Sequence, residues 1–220
     1  MPEEITAEAF VGELTALASQ GERLRMSQVF GVAKQFVAME PDEIENLLDD
    51  QSHEVKVGAV SIMGQQATRK ATSEARRKEL FELYLRRTDR IDTWDLVDVS
   101  AHHVVGGYLF DKPRDVLYEL ARSQCWWERR IAMFSTLHFI RKDDLDDTFG
   151  LAEILVEDEH EMVQTVTGGM LREAGKHDRA RLLAFLDRHA ATMPRRGLRD
   201  ASEHLDAEQR AHYRGLGPGS

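Results

Sequence analysis

The feature that most limits what this chain can fold into is its helical periodicity. Apolar residues recur at spacings of three and four nearly throughout: Val29, Val32, Ala33, Phe36 and Val37, then Leu80, Leu83 and Leu85 in a charged stretch near 73–88, then Leu117, Leu120 and Ala121. Such spacing lays one apolar stripe along a helix, to be buried against a neighbour. No run of alternating β-branched residues bounded by turn signals breaks the pattern. Helix starts are marked too. Pro41 is followed by Asp42 and Glu43, a proline for the first turn and acids for the positive end of the dipole. Pro113 and Pro194 read similarly. Asp178 is placed to cap a helix carrying Leu182, Leu183, Phe185 and Leu186.

The expected fold is therefore all-α. We expect about a dozen helices of roughly 10 to 17 residues joined by short polar turns. Their spacing suggests antiparallel pairs repeating every ~35 to 45 residues, the period of HEAT-type repeats. Stacked pairs of this kind form an α-solenoid, an α-α superhelix with a curved inner surface. A compact helical bundle is the alternative. At 220 residues, one domain over 1–214 is expected, with acidic helices over 5–50 at its start. Residues 215–220, Gly-Leu-Gly-Pro-Gly-Ser, read as a flexible tail or a cloning remnant.

Composition excludes several classes. Hydrophobic content of 42% with 31% charged residues describes a globular chain. The single cysteine, Cys125, rules out an internal disulfide framework and suits a reducing cytoplasm. No apolar run approaches the ~18 residues needed to span a bilayer. The acidic start MPEEITAEAF lacks the basic segment of a signal peptide. The net charge of −10 is unevenly spread. Residues 1–50 hold three Lys/Arg (Arg23, Arg25, Lys34) against eleven Asp/Glu, and the other 170 hold 26 against 28. Basic residues there cluster at Arg76-Arg77-Lys78, Arg86-Arg87, Arg129-Arg130, Arg141-Lys142, Arg179/Arg181 and Arg195-Arg196 with Arg199. Such clusters are either solvated helix faces or, where the fold aligns them, a phosphate-binding stripe.

Common catalytic motifs are absent. His160-Glu161-Met162-Val163-Gln164 starts like a zinc-protease helix but lacks the second histidine. The acid-rich 157–161 run has no calcium-loop spacing and reads as a solvated turn. Gly175-Lys176 lacks an upstream glycine-rich loop. Gly106-Gly107 and Gly168-Gly169 fit no dinucleotide fingerprint and read as close helix packing or helix ends. His102-His103, being adjacent, are expected to point apart.

Two constellations remain. In Trp94-Asp95-Leu96-Val97-Asp98, Trp94 and Asp98 stand four apart on one helical face. An aromatic and an anion side by side can hold a cationic group. The plainer reading makes Trp94 a core residue and Asp98 a surface charge. In Trp126-Trp127-Glu128-Arg129-Arg130, two tryptophans adjoin two arginines. This is either a helix start with buried rings or an arginine held over a phosphate with a ring as platform.

The segments TWDLVDVSAHHVVGGYL (93–109), LARSQCWWERRIAMFSTLHFIR (120–141), GGMLREAGKHD (168–178) and LLAFLDRHAATMPRRGLR (182–199) resemble the bacterial DNA alkylation-repair glycosylases built of HEAT-like repeats, the AlkD-like family. The resemblance covers roughly 50–205. It implies a helical solenoid holding duplex DNA that contains alkylated purines, and excision of cationic N3- and N7-alkylpurines without a metal or organic cofactor and without a deep base-flipping pocket. By motif, Trp94 matches the first tryptophan lining the lesion, Asp98 the catalytic carboxylate, and Arg129 the arginine on the DNA backbone beside the lesion. Arg130, Arg172, Lys176, Arg195 and Arg196 are the further DNA contacts expected. A monomer, cytoplasmic and nucleoid-associated, would follow. The chain departs from the family at one wall of the site. The usual second tryptophan is Gly169, a usual lysine is Thr165, and Asp200 stands where an aromatic is common. Those losses leave a second reading open, a non-catalytic HEAT-repeat module that binds DNA or a protein partner.

Overall fold

The computed structural model describes residues 4–19 and 24–217. Arg23, part of the N-terminal charge count, and the terminal residues 218–220 lie outside the described residues. The chain is all-helical among the described residues, and it divides into two compact units, 1–108 and 109–220.

Unit 1 contains α1 (Ala7–Ala18), α2 (Met26–Gln35), α3 (Pro41–Leu48), α4 (His53–Thr68), α5 (Glu74–Arg86) and α6 (Trp94–Ala101). The last runs into a π-helical turn, His102–Gly106, and then into α7 (Gly107–Leu109). Start signals act as sequence predicts. Pro41 is the first residue of α3, and Ser52 and Ser73 cap α4 and α5 through their side-chain oxygens. The helices lie in two rows. His53 at the start of α4 bonds Asp95 at the start of α6, so these two run parallel. Glu45 and Asp49 of the α3 end pair with Arg86 and Arg87 of the α5 end, and Arg76 pairs with Glu40 at their starts. Between the rows lies the core of Phe10, Val29, Val32, Phe36, Ile44, Leu48, Ile62, Met63, Leu80 and Leu83. Phe10 and Phe36 meet edge to face at 5.3 Å. Tyr84, fully buried, takes the place in this core that periodicity gives to Leu85, which is only half-buried. The apolar stripe of α5 is thus rotated by one residue from the expected one.

Unit 2 repeats the plan with α8 (Asp115–Leu120), α9 (Trp126–Ile140), α10 (Asp146–Leu155), α11 (Glu161–Gly175), α12 (Arg179–His189), α13 (Arg195–Ala201) and α14 (Ala207–Leu216). Asp178 caps α12 by accepting from the Arg181 amide at 2.9 Å. Pro194 directly precedes α13, and α8 begins two residues after Pro113. Arg181–Asp146 joins the starts of α10 and α12, and Arg188–Glu153 joins their ends. Arg179 reaches Asp206 at the start of α14. The second row is α9, α11 and α13. Each row is parallel within itself and antiparallel to the other, because the connecting turns are short. Several helices are shorter than expected: α6 because the π turn interrupts it, and α8 because Pro113 delays its start. Helix α14 takes in Gly215 and Leu216, which the sequence places in the tail.

The arginine clusters find their use here. Arg86, Arg87, Arg179, Arg181 and Arg188 tie consecutive helices of one row to each other. Burial raises the cost of neutralising such pairs only slightly, since most are solvent-screened. Glu45 is held below the usual carboxylate range, chiefly by its hydrogen bond to Arg86.

Helices α11 and α13 approach each other closely. A Cβ added at Gly168 would stand 2.4 Å from the Gly197 carbonyl oxygen, a backbone atom. At its neighbour Gly169 an added Cβ meets nothing within 4 Å. Gly168→Ala is therefore expected to destabilise the protein by about 1–3 kcal/mol, the usual cost of overpacking. Gly169→Ala is expected to stabilise it by up to about 1 kcal/mol through helix propensity. Urea unfolding of the two variants beside the wild type checks both signs.

Candidate functional site

Helix α6 opens at Trp94, with Thr93 in extended backbone before it. Leu96, Val97, Ser100 and Ala101 face inward and are buried, which anchors the helix and turns the other side outward. Trp94 is 53% exposed, the most exposed large apolar side chain of the described residues. That excludes the reading of Trp94 as core. Asp98, four residues on, is half-buried on the same face. An indole left in water on the first turn, beside a carboxylate, is an arrangement that packing alone does not require.

Asp95, between them, is tied down. Its Oδ1 accepts from the Thr93 hydroxyl at 2.7 Å and its Oδ2 meets His53 Nε2 at 2.6 Å. Burial pushes its carboxyl up, but the bonds from Thr93 and His53 outweigh this and hold it below the usual carboxylate range. Behind α6 the Tyr84 hydroxyl lies 3.3 Å from Ser100 Oγ. Burial pushes that phenol far up, and the negative charge of Asp98 adds to the effect. The π turn lies one step further along. It brings the rings of His102 and His103 to 3.7 Å. This corrects the expectation that adjacent histidines point apart, which holds for a regular helix but not for the wider π winding. Single π turns are frequent at functional sites.

The second constellation, in unit 2, is built differently from its sequence reading. Trp126 at the start of α9 stacks on His160, with centroids 4.5 Å apart and planes at 4°. Its platform is thus covered by an imidazole, not an arginine. Arg129 is held by Asp158, Nε to Oδ2 at 2.6 Å and Nη2 to Oδ1 at 3.1 Å. Its Nη1 donates to the carbonyls of Ser123 and Gln124. Of five N–H donors, one on Nη2 remains. The acidic turn read as solvated is therefore a built element. Asp158 receives the arginine fork, and His160 caps α11 through Nδ1. A carboxylate two residues before a cap residue, one repeat after an arginine, is the only signal that could have shown it.

Of the other expected DNA contacts, Arg130 is 4% exposed and donates to the Met162 carbonyl at 2.5 Å. Its guanidinium is spent inside the unit. Arg172 pairs with Glu203 and Glu173, and Lys176 with Glu173 at 2.7 Å. Arg196 meets Glu161 at 2.9 Å, and Arg195 is exposed. Arg172 and Lys176 line one cavity together with Arg179 and His204. Among the described residues no group of three or more His, Cys, Asp or Glu is placed to hold a metal ion, and no helix is long and apolar enough to cross a membrane.

Among the described residues the chain is thus all-helical, with an outward tryptophan and a half-buried carboxylate on one face of α6. A model of the DNA alkylation repair enzyme family matches residues 24–205, and the chain belongs to that family. Trp94, Asp98, Arg129 and Gly169 all lie inside the matched span. No curated protein and no solved structure matches it.

Removing the carboxylate that fills the Arg129 fork tests whether the acidic turn is structural. Asp158→Ala is expected to cost about 1.5–3 kcal/mol, the worth of hydrogen bonds to a charged group. Thermal unfolding measures it, and a cost within about 0.5 kcal/mol of zero, as for an ordinary surface change, would reduce Asp158 to a surface acid.

Proposed function

We propose that this member of the DNA alkylation repair enzyme family is an N-glycosylase that removes cationic N3- and N7-alkylpurines from duplex DNA. The observation that carries the reading is the exposure of Trp94 one turn before Asp98. Trp94 is left outside the core, and half-buried Asp98 shares its helical face.

Alkylation at N3 or N7 makes the purine cationic, so the base leaves as a neutral molecule and needs no strong general acid. What the reaction lacks is compensation for the positive charge that grows on the deoxyribose as the glycosidic bond stretches. Asp98 supplies it. At an effective dielectric near 20, a unit pair ~4 Å apart interacts by ~4 kcal/mol. That corresponds to about a thousandfold in rate. Trp94 adds roughly 0.5–2 kcal/mol through its ring face. Arg129, with its remaining Nη2 donor, contacts the DNA backbone. Its rigid Asp158 and carbonyl partners fix that donor in place, and preorganisation of this kind is what positioning demands. Arg196, Arg172 and Lys176 add phosphate contacts by exchanging internal carboxylates for DNA, and the exposed Arg195 adds another, whereas Arg130 is left out of this role by its burial. No cofactor enters the reaction.

The open space at Gly169 favours a second reading. The family's second tryptophan is absent, and an added side chain meets nothing there. A non-catalytic helical module that binds DNA or a protein partner would need no such wall.

Under the enzyme reading, Asp98→Asn lowers single-turnover release of 7-methylguanine from duplex DNA by about a thousandfold with unfolding unchanged. Full rate in the Asn variant would remove Asp98 from the chemistry, and no release by the wild type would favour the binding module. Gly169→Trp, at a position where an added Cβ meets nothing within 4 Å, is expected to raise the rate. In a salt titration, log Kd for duplex DNA should rise with log salt by about 0.9 per phosphate neutralised. A flat titration would count against DNA binding through these basic side chains.

A further inference from the structure

Unit 2 carries a cavity of about 560 Å³ bounded by α13, the turn after it and α14. Arg199, Asp200, Glu203, Arg210 and Arg214 line it. Arg210 and Arg214 stand four apart on α14, so both project from one helical face. Like charges at that spacing destabilise a helix, so α14 has no use of its own for the pair. Arg199 adds a third positive charge from the neighbouring helix.

The two acids of the cavity are already engaged. Asp200 accepts from Arg199 through Nε and Nη2, each at 2.9 Å, and Glu203 is paired with Arg172. Arg210 donates through Nη1 to the carbonyls of Leu205 at 2.6 Å and Glu203 at 3.3 Å, which fixes its guanidinium without neutralising it. Arg214 has no hydrogen bond or ion pair among the described residues. Two positive charges therefore line this space with no carboxylate against them. Arg172, Lys176 and Arg196 must each give up an internal carboxylate before they hold an anion, and Arg210 and Arg214 need not. The cavity also borders the glycine step of α11, since Asp200 Cβ lies 2.9 Å from where a Cβ at Gly168 would stand.

We propose that Arg210 and Arg214, with Arg199 beside them, form a seat for one phosphate group. A guanidinium fork gives two parallel N–H···O bonds to phosphate oxygens, and its charge persists at any working pH. Arg210 is held in place before the anion arrives, which lowers the cost of ordering it on binding. A water takes roughly 30 Å³ in the liquid, so the space admits a phosphate with part of its hydration or of its attached sugars. Two sources supply that group: a backbone phosphate of duplex DNA, or a free phosphate or phosphomonoester. Only the first source rests on the DNA reading above.

The test compares the full chain with Arg214→Gln and with the double variant Arg210→Gln/Arg214→Gln. Arg214→Gln removes a side chain without partners, so its unfolding temperature should match the wild type. That variant carries the test if the double one loses stability with the carbonyl bonds of Arg210. In one arm, binding of duplex DNA is titrated against salt. In the other, the unfolding temperature is followed with inorganic phosphate and with chloride at equal ionic strength. Phosphate also stabilises proteins by exclusion from their surface. Wild type and variants share that effect, so the difference between them reports the seat. If the source is the DNA backbone, Arg214→Gln binds duplex about tenfold more weakly, with a salt slope lower by about 0.9. Arg188→Gln, which removes an arginine paired with Glu153, should then bind as the wild type does. If the source is free phosphate, DNA affinity is unchanged and the variants lose a phosphate-induced rise in unfolding temperature that the wild type shows. Variants equal to the wild type in both arms would overturn the proposal. A wild type that binds no DNA but loses its phosphate response on Arg214→Gln would overturn the DNA reading and leave the seat in place.

Discussion

Parallel stacking of like helices is the constraint on which the rest of this structure depends. Each row buries apolar side chains against its neighbour row, and consecutive members of a row point the same way. Their N-terminal turns therefore lie next to each other along one edge. In unit 1 this is why His53 and Asp95, 42 residues apart in sequence, come within 2.6 Å. In unit 2 it is why Trp126 lies flat on His160, and why Arg129 reaches Asp158. The side chains with chemical potential are gathered by the direction of the helices more than by any loop. Sites on rigid helices are held more precisely than sites on loops.

The same constraint explains the charge pattern. Twenty-nine basic and thirty-nine acidic side chains give a chain with a negative balance, at odds with a polyanionic partner. Much of that charge is internal to the rows. Glu45 and Asp49 take up Arg86 and Arg87, and Asp146, Glu153 and Asp206 take up Arg181, Arg188 and Arg179. These pairs sit at the surface, where each contributes at most about 1 kcal/mol, so they set helix register more than they set stability. A net charge summed over the sequence says little about the face that meets DNA once so many charges are paired off between neighbouring helices.

Much of the fold was legible in the sequence. The 3.6-residue periodicity gave the all-helical class, and Pro41 and Asp178 marked true helix starts. The exchange of Tyr84 for Leu85 in the core was not legible, because a tyrosine with a buried hydroxyl needs a partner, Ser100, that only the fold supplies. The candidate site divides in the same way. Trp94 and Asp98 share a face because helical geometry alone places residues four apart together. Arg129 was legible as a residue and not as an environment, since the carboxylate in its fork comes from a turn 29 residues later. Arg130, its neighbour, points inward, and nothing in a doublet of arginines says which one is buried. The dyad of His53 and Asp95 was invisible because its two halves sit in separate helices.

The two adjacent glycines of α11 answer to different constraints. Gly168 is required by packing, since the carbonyl of Gly197 lies where its side chain would begin. Gly169 is required by nothing within 4 Å. Position 169 is thus open by choice of side chain and not by backbone necessity. A helix can therefore keep its crossing at one glycine while the outward position beside it is left free to change. The same division holds on α6, where Leu96, Val97, Ser100 and Ala101 anchor the helix and the outward Trp94 is left outside the core, so a substitution at Trp94 probes the outward face with little cost to the fold.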